Sequence, residues 1–98
     1  MKFIVEASFP SEPFNSYVRQ GVAGEKIGEV LGANGPEFVY FTDHGPGRGV
    51  TMVVDLEDFS QLPRVTEPFM LTFDAAVHYR IAISPDELQA AGLDRYAA

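Results

Sequence analysis

The 98-residue chain has no cysteine, which excludes a disulfide framework, a thiolate metal site and a cysteine nucleophile and fits a reducing compartment. It has two histidines, His44 and His78, and neither stands at the His-x3-His or Glu-x2-His spacing by which a helix presents metal ligands. Neither a metal nor a cofactor is expected. Basic residues are scarce as well: seven Lys and Arg face fourteen Asp and Glu, a net charge of -7. A phosphate backbone or an anionic lipid surface would be repelled over most of such a molecule, so nucleic acid is not an expected partner. No apolar run approaches the ~20 residues that span a bilayer. The segment Met1-Lys2-Phe3-Ile4-Val5-Glu6 meets an acidic residue before a signal-peptide core could develop, which predicts a cytoplasmic protein with no membrane partner. There is no Gly-x-Ser-x-Gly elbow, so hydrolase chemistry has no support.

What is present in quantity is apolar strand sequence. Between Glu37 and Asp55, two strand-like runs, Phe38-Val39-Tyr40-Phe41 and Val50-Thr51-Met52-Val53-Val54, flank the glycine-rich His44-Gly45-Pro46-Gly47-Arg48-Gly49. A hairpin with one side in water alternates apolar and polar residues, and these runs barely alternate. Both faces therefore need cover. Helices can supply one cover in so short a chain, and a second subunit the other.

Around the hairpin the pattern reads as one domain, residues 1–98. Lys2 to Phe9 predicts a strand that Pro10 ends. Ser11 offers a helix N-cap, with Phe14, Val18 and Val22 at helical spacing, then Ile27, Val30 and Leu31; the glycines predict a bend or break near Gly21 to Gly24. Ala33-Asn34-Gly35-Pro36 is turn chemistry. Asp55, with Asp58 three positions on, predicts a second helix carrying Phe59, Leu62, Val65, Phe69 and Met70, kinked at Pro63 and Pro68 with a new turn near Thr66. Ala75 to Ile83 reads as a last strand. Ser84-Pro85-Asp86-Glu87 opens a short closing helix ending at Gly92, with a frayed tail from Asp94 to Ala98. Strand, helix, strand, strand, helix, strand, with right-handed crossovers, is a ferredoxin-like α+β sandwich: one four-stranded antiparallel sheet with helices on one face and the other face open.

The runs Pro36-Glu37-Phe38-Val39-Tyr40-Phe41-Thr42, Thr66-Glu67-Pro68-Phe69-Met70-Leu71-Thr72-Phe73-Asp74-Ala75 and Ser84-Pro85-Asp86-Glu87-Leu88 resemble a family of small bacterial proteins similar to the dimeric α+β-barrel superfamily. That superfamily includes cofactor-independent monooxygenases, muconolactone isomerase-like enzymes and non-enzymatic binders. The resemblance implies pairing through the open sheet faces into a homodimer, and it brings no catalytic set to carry onto these positions. A pantothenate synthetase label borne by some relatives does not suit a chain this short that lacks paired histidines.

Strand parity sorts the candidate residues. In the first strand Phe3, Val5 and Ala7 share the helix face, and Glu6 lies on the other; in the last, His78 and Arg80 oppose Val77, Tyr79 and Ile81. First and last strands are neighbours in this topology, so Glu6 can oppose His78 or Arg80 on the open face. One reading is a proton-transferring site, with His78 as base tuned by Glu6 and Arg80. The other is a polar contact that sets register between subunits. At the hairpin, His44 and Arg48 form a candidate acid-base and anion-binding pair, although Gly45, Gly47 and Gly49 lack the following helix a phosphate loop requires. Tyr40 and Tyr79 are the aromatics whose hydroxyls need partners in an apolar pocket. Two functions stand side by side: a homodimer that binds, and acts without cofactor on, a small and mostly apolar molecule, and a non-catalytic structural dimer.

Overall fold

Side-chain parity along Lys2–Phe9 builds the first strand, β1. In the computed structural model, which describes residues 1–33, 35–44 and 47–98 and His44 by its backbone alone, Phe3, Val5 and Ala7 are fully buried while Ile4, Glu6 and Ser8 are half-buried. Two helices follow, α1 (Ser11–Gln20) and α2 (Ala23–Gly32). They divide in the predicted place. Gly21 takes φ 75°, where a side chain is strained, and the amides of Gly21 and Val22 close the turn on the carbonyls of Val18 (3.0 Å) and Tyr17 (2.9 Å).

The start of α1 differs from the expected Ser11 cap. Glu12 is extended (φ −113°, ψ 142°), so the regular helix begins after it. Its carboxylate accepts the Ser16 amide (3.1 Å) and hydroxyl (2.5 Å), and the Ser16 hydroxyl above all holds that carboxyl below its usual range. The apolar stripe also shifts. Phe14 is buried but Val18 is half exposed, and Tyr17 takes the inward place, edge-on to Phe73 with its hydroxyl donating to the Thr72 carbonyl at 2.7 Å.

Strands β2 (Phe38–His44) and β3 (Gly47–Asp55) form the hairpin, with Phe38 opposite Val53 and Tyr40 opposite Thr51. Gly45 and Pro46 lie outside the described residues, as does Asn34, one of two positions able to stop the helix in a left-handed conformation; the other, Gly35, takes φ 50°. Asp55 does not cap the next helix. It ends β3 and accepts from the amino-terminal ammonium at 3.1 Å. Asp58 is the cap, accepting the Ser60 amide at 2.7 Å and the Ser60 hydroxyl, and it opens a 3₁₀ turn over Phe59–Gln61. The two residues of connection between strand end and cap, Leu56 and Glu57, are what moved the start.

The helix α3 then runs as one element from Leu62 to Phe73, without the expected restart near Thr66. Pro63 sits in the first turn, where a missing amide costs nothing. Pro68 is interior, and burial of Leu62, Val65, Phe69 and Phe73 along one stripe outweighs the hydrogen bond it removes. Met70 and Phe59, expected on that stripe, are exposed.

Strand β4 (Ala76–Ala82) and helix α4 (Pro85–Ala90) complete the chain. The predicted capping box is present: Ser84 Oγ accepts the Glu87 amide at 3.1 Å and Glu87 Oε1 accepts the Ser84 amide at 2.9 Å. Leu93–Tyr96 forms a 3₁₀ turn where a frayed tail was expected. The four strands make one antiparallel sheet in the order β2-β3-β1-β4, the arrangement predicted from element order. Phe3, Val5, Val50, Met52 and Val54 pack against Val30, Val65, Phe69 and Phe73 to form the core. The helix layer covers the central strands and stops short of the edges, leaving Phe41 of β2 and Ile81 of β4 57% and 59% exposed.

Candidate functional site

The second face of the sheet has no helix on it among the described residues, and register lays its side chains out in transverse rows. Tyr40, Thr51, Glu6 and His78 form one row across all four strands. Phe38, Val53, Ile4 and Arg80 form the next, and on the other side of the first lie Thr42, Gly49, Ser8 and Ala76. The third row is poor in side-chain volume. Phe38 and Tyr40, at 60% and 70% exposed, stand on the β2 margin, and the ionisable groups stand on the β4 margin.

Glu6, His78 and Arg80 come together. Glu6 and His78 are directly opposed across β1 and β4, and Arg80 donates to Glu6 and forms an ion pair with it. With Ile4 and Tyr79 they line a concavity of about 250 Å³. An acceptor, an imidazole and a guanidinium at the edge of an apolar surface can orient a small molecule carrying a carbonyl or hydroxyl and can move a proton on it. A second pair, Lys2 with Glu37 at 2.8 and 2.7 Å, borders the same face, and the hydrogen bond that Lys2 donates to Glu37 above all raises the Lys2 pKa.

The other sequence candidates sit elsewhere. Tyr40 shares the row of His78 but lies three strands away, roughly 14 Å at ordinary strand spacing; both reach one molecule only from its opposite sides. Tyr79 points to the helix side, edge-on to Phe3 (6.4 Å) and Phe59 (5.9 Å), and borders an apolar groove of about 340 Å³ with Leu62 and Pro63. Arg48 opposes Phe9 and turns to α1, where its guanidinium lies 4.3 Å from the centre of the Phe14 ring and donates to Asn15 Oδ1 at 2.8 Å. The His44 side chain lies outside the described residues, and so does the proposed His44–Arg48 pair. Thr51, which stands between Tyr40 and Glu6 in the row that ends at His78, is not among the sequence candidates. Carrying parity across the hairpin from Tyr40 is the signal that finds it. Among the described residues no group of three or more His, Asp or Glu could hold a metal ion, and no helix is long and apolar enough to cross a membrane.

No family model and no curated protein matches the sequence. Solved structures do. The 5-chloro-2-hydroxyhydroquinone dehydrochlorinase TftG of Burkholderia phenoliruptrix, described in complex with 2,5-dihydroxybenzoquinone, aligns over 89% of this chain and 98% of its own, at 16% identity and a TM-score of 0.58. The chain has the ferredoxin-like fold of the α+β-barrel proteins. Weaker likenesses of the same ferredoxin-like kind are an uncharacterised NIPSNAP domain protein from Burkholderia xenovorans (10% identity, 87% and 97% coverage, TM-score 0.46) and a putative antibiotic biosynthesis monooxygenase from Deinococcus radiodurans (10% identity, 86% and 94% coverage, TM-score 0.41). At such identities a structural likeness speaks for fold alone, and function has to be argued from the site.

Proposed function

We propose that this chain forms a homodimeric α+β barrel through its bare sheet face and that the enclosed space binds a small, flat, mostly apolar molecule carrying a carbonyl or phenolic oxygen. One observation carries the reading: a single face combines exposed aromatic surface at Phe38 and Tyr40, a row of small residues at Thr42, Gly49, Ser8 and Ala76, and a concavity lined by the acid-base cluster of Glu6, His78 and Arg80. In this reading Phe38 and Tyr40 contact the apolar body of the ligand, Arg80 faces its oxygen, and His78 takes or returns a proton, held by Glu6. Proton transfer on an activated carbonyl or phenolic compound, or a cofactor-free oxygenation of one, asks least of these groups. The ligand named for TftG is of this chemical kind and supplies a first probe.

The test is calorimetric titration of the purified protein with 2,5-dihydroxybenzoquinone, hydroquinone and simple phenols, alongside His78→Ala and Tyr40→Phe. Binding by the wild type that weakens at least roughly tenfold in His78→Ala supports the site. A second reading rests on the Glu6–Arg80 pair, which is already made within one protomer and so suits a contact that sets register between sheets. A dimer that binds none of the probes, and whose native mass spectrum carries no additional molecule, favours that non-catalytic dimer.

A further inference from the structure

The chain beyond β4 is folded but has no buried residue. Helix α4 has six residues, far fewer than an isolated helix needs to persist in water, yet it carries a complete capping box. No residue of α4 or of the Leu93–Tyr96 turn is buried, and Ile83, Leu88, Leu93 and Tyr96 are all about half exposed or more. The molecule is drawn out to 61 × 27 × 18 Å with a radius of gyration of 16.4 Å, against ~13 Å for a compact chain of this length. Its accessible surface is 6413 Å², whereas a compact protein of this mass exposes about 5,500 Å². The excess, on the order of 900 Å², matches the ~800 Å² that one partner contributes to a standard interface.

We infer that residues 83–96 form an arm that docks on a second copy of this chain, in a reciprocal exchange that buries Leu88, Leu93 and Tyr96 against the partner beside its bare sheet face. The inference rests on the homodimer proposed above. A second copy is the occupant because the arm leaves from the end of β4, the strand that presents His78 and Arg80 on the bare face. A copy seated on that face therefore lies at the root of the arm. In a twofold dimer one set of contacts then covers the arm and the face of both protomers.

The full-length chain and the double variant Leu88→Asp, Leu93→Asp are compared by sedimentation equilibrium, with far-ultraviolet circular dichroism as the check on folding. The expected result is a dissociation constant raised at least roughly 100-fold in the variant, with an unchanged spectrum, because neither side chain supports its own protomer's core. Hydrogen exchange of the wild type supplies the second measurement: the amides of Leu88 and Ala91 should be protected at dimer concentrations and lose protection on dilution to monomer. An unchanged dissociation constant overturns the arm and leaves the dimer standing. Protection that persists in the diluted monomer shows the arm folded on its own protomer and overturns it too. A wild type that sediments as a monomer at all concentrations overturns the dimer and the arm with it.

Discussion

The two faces of β1 are one residue apart in sequence and differ in almost every physical respect. Phe3, Val5 and Ala7 are sealed under the helices, while Ile4, Glu6 and Ser8 look onto a face without any helix among the described residues. On the first face residues are chosen for volume, and Phe9, Phe14, Tyr17 and Phe73 pack ring against ring. On the second they are graded, aromatic at β2, small along the row of Gly49 and ionisable at β4. Such a gradient does little for the stability of one protomer. It suits a surface that meets something else, so stability and recognition in this chain are divided by strand parity rather than by region.

Substitutions on the two faces should therefore separate. The largest effect is expected from Phe73→Ala, which empties a fully buried site and should cost about 3–5 kcal/mol in urea denaturation; a loss under 1 kcal/mol would mean the covered face is not the core. Next comes Tyr40→Ala on the bare face, expected to weaken dimerisation roughly 30-fold in sedimentation while leaving the unfolding of the monomer little changed. Equal damage to both properties would erase the distinction between the faces. Gly21→Ala tests the covering layer at a point that touches neither face. No atom lies within 4 Å of the added carbon, so a loss of about 1 kcal/mol would report the φ of 75° alone, and no loss would show that the break between α1 and α2 can be rebuilt.

The smallest effect is the pH response of the exposed caps. The carboxyls of Glu12, Asp58 and Glu87 are all lowered, chiefly by hydrogen bonds from the Ser16 side chain, the Ser60 side chain and the Ser84 backbone. A lowered folded pKa means that the stabilisation is complete above the ordinary values of 4.5, 3.8 and 4.5 and is lost as pH falls through the lower folded values. Lys2 runs the other way. Its pKa is raised from 10.5, so the Glu37 pair contributes below that value and fades as pH climbs through the folded one. Amide chemical shifts of Ser16, Ser60 and Ser84 should move together in acid, before the core unfolds; core and caps melting at one pH would contradict the expected order.

Much of this was legible in the chain because it is local. Proline at position 10, glycine at 21 and the Ser84–Glu87 pair act within a few residues, and they mark boundaries that the structure keeps. Parity in β1 and β4, joined to the topology that makes these strands neighbours, was enough to put Glu6 across from His78. The errors fall where distant burial overrules a local signal. Pro68 reads as a break, but four apolar residues of α3 meet a core assembled from strands far away in sequence. Asp55 and Asp58 are equally good caps on paper, and the position at which β3 ends decides between them. Arg48 reads as the companion of His44, yet pairing register turns it toward α1, while Tyr79 lies on the helix side, where strand parity puts it.

By itself the sequence determined the order of elements, the alternation within strands and the shortage of metal-binding and nucleophilic groups, all of which depend on neighbours along the chain. Only the tertiary structure decided which residues share a face: the helix layer ends before β2 and β4, Tyr40 to His78 form one row, and the segment after β4 has no buried residue. Those outcomes depend on the register between strands and on the area the helices can cover, and both are set by contacts between residues that are remote in sequence.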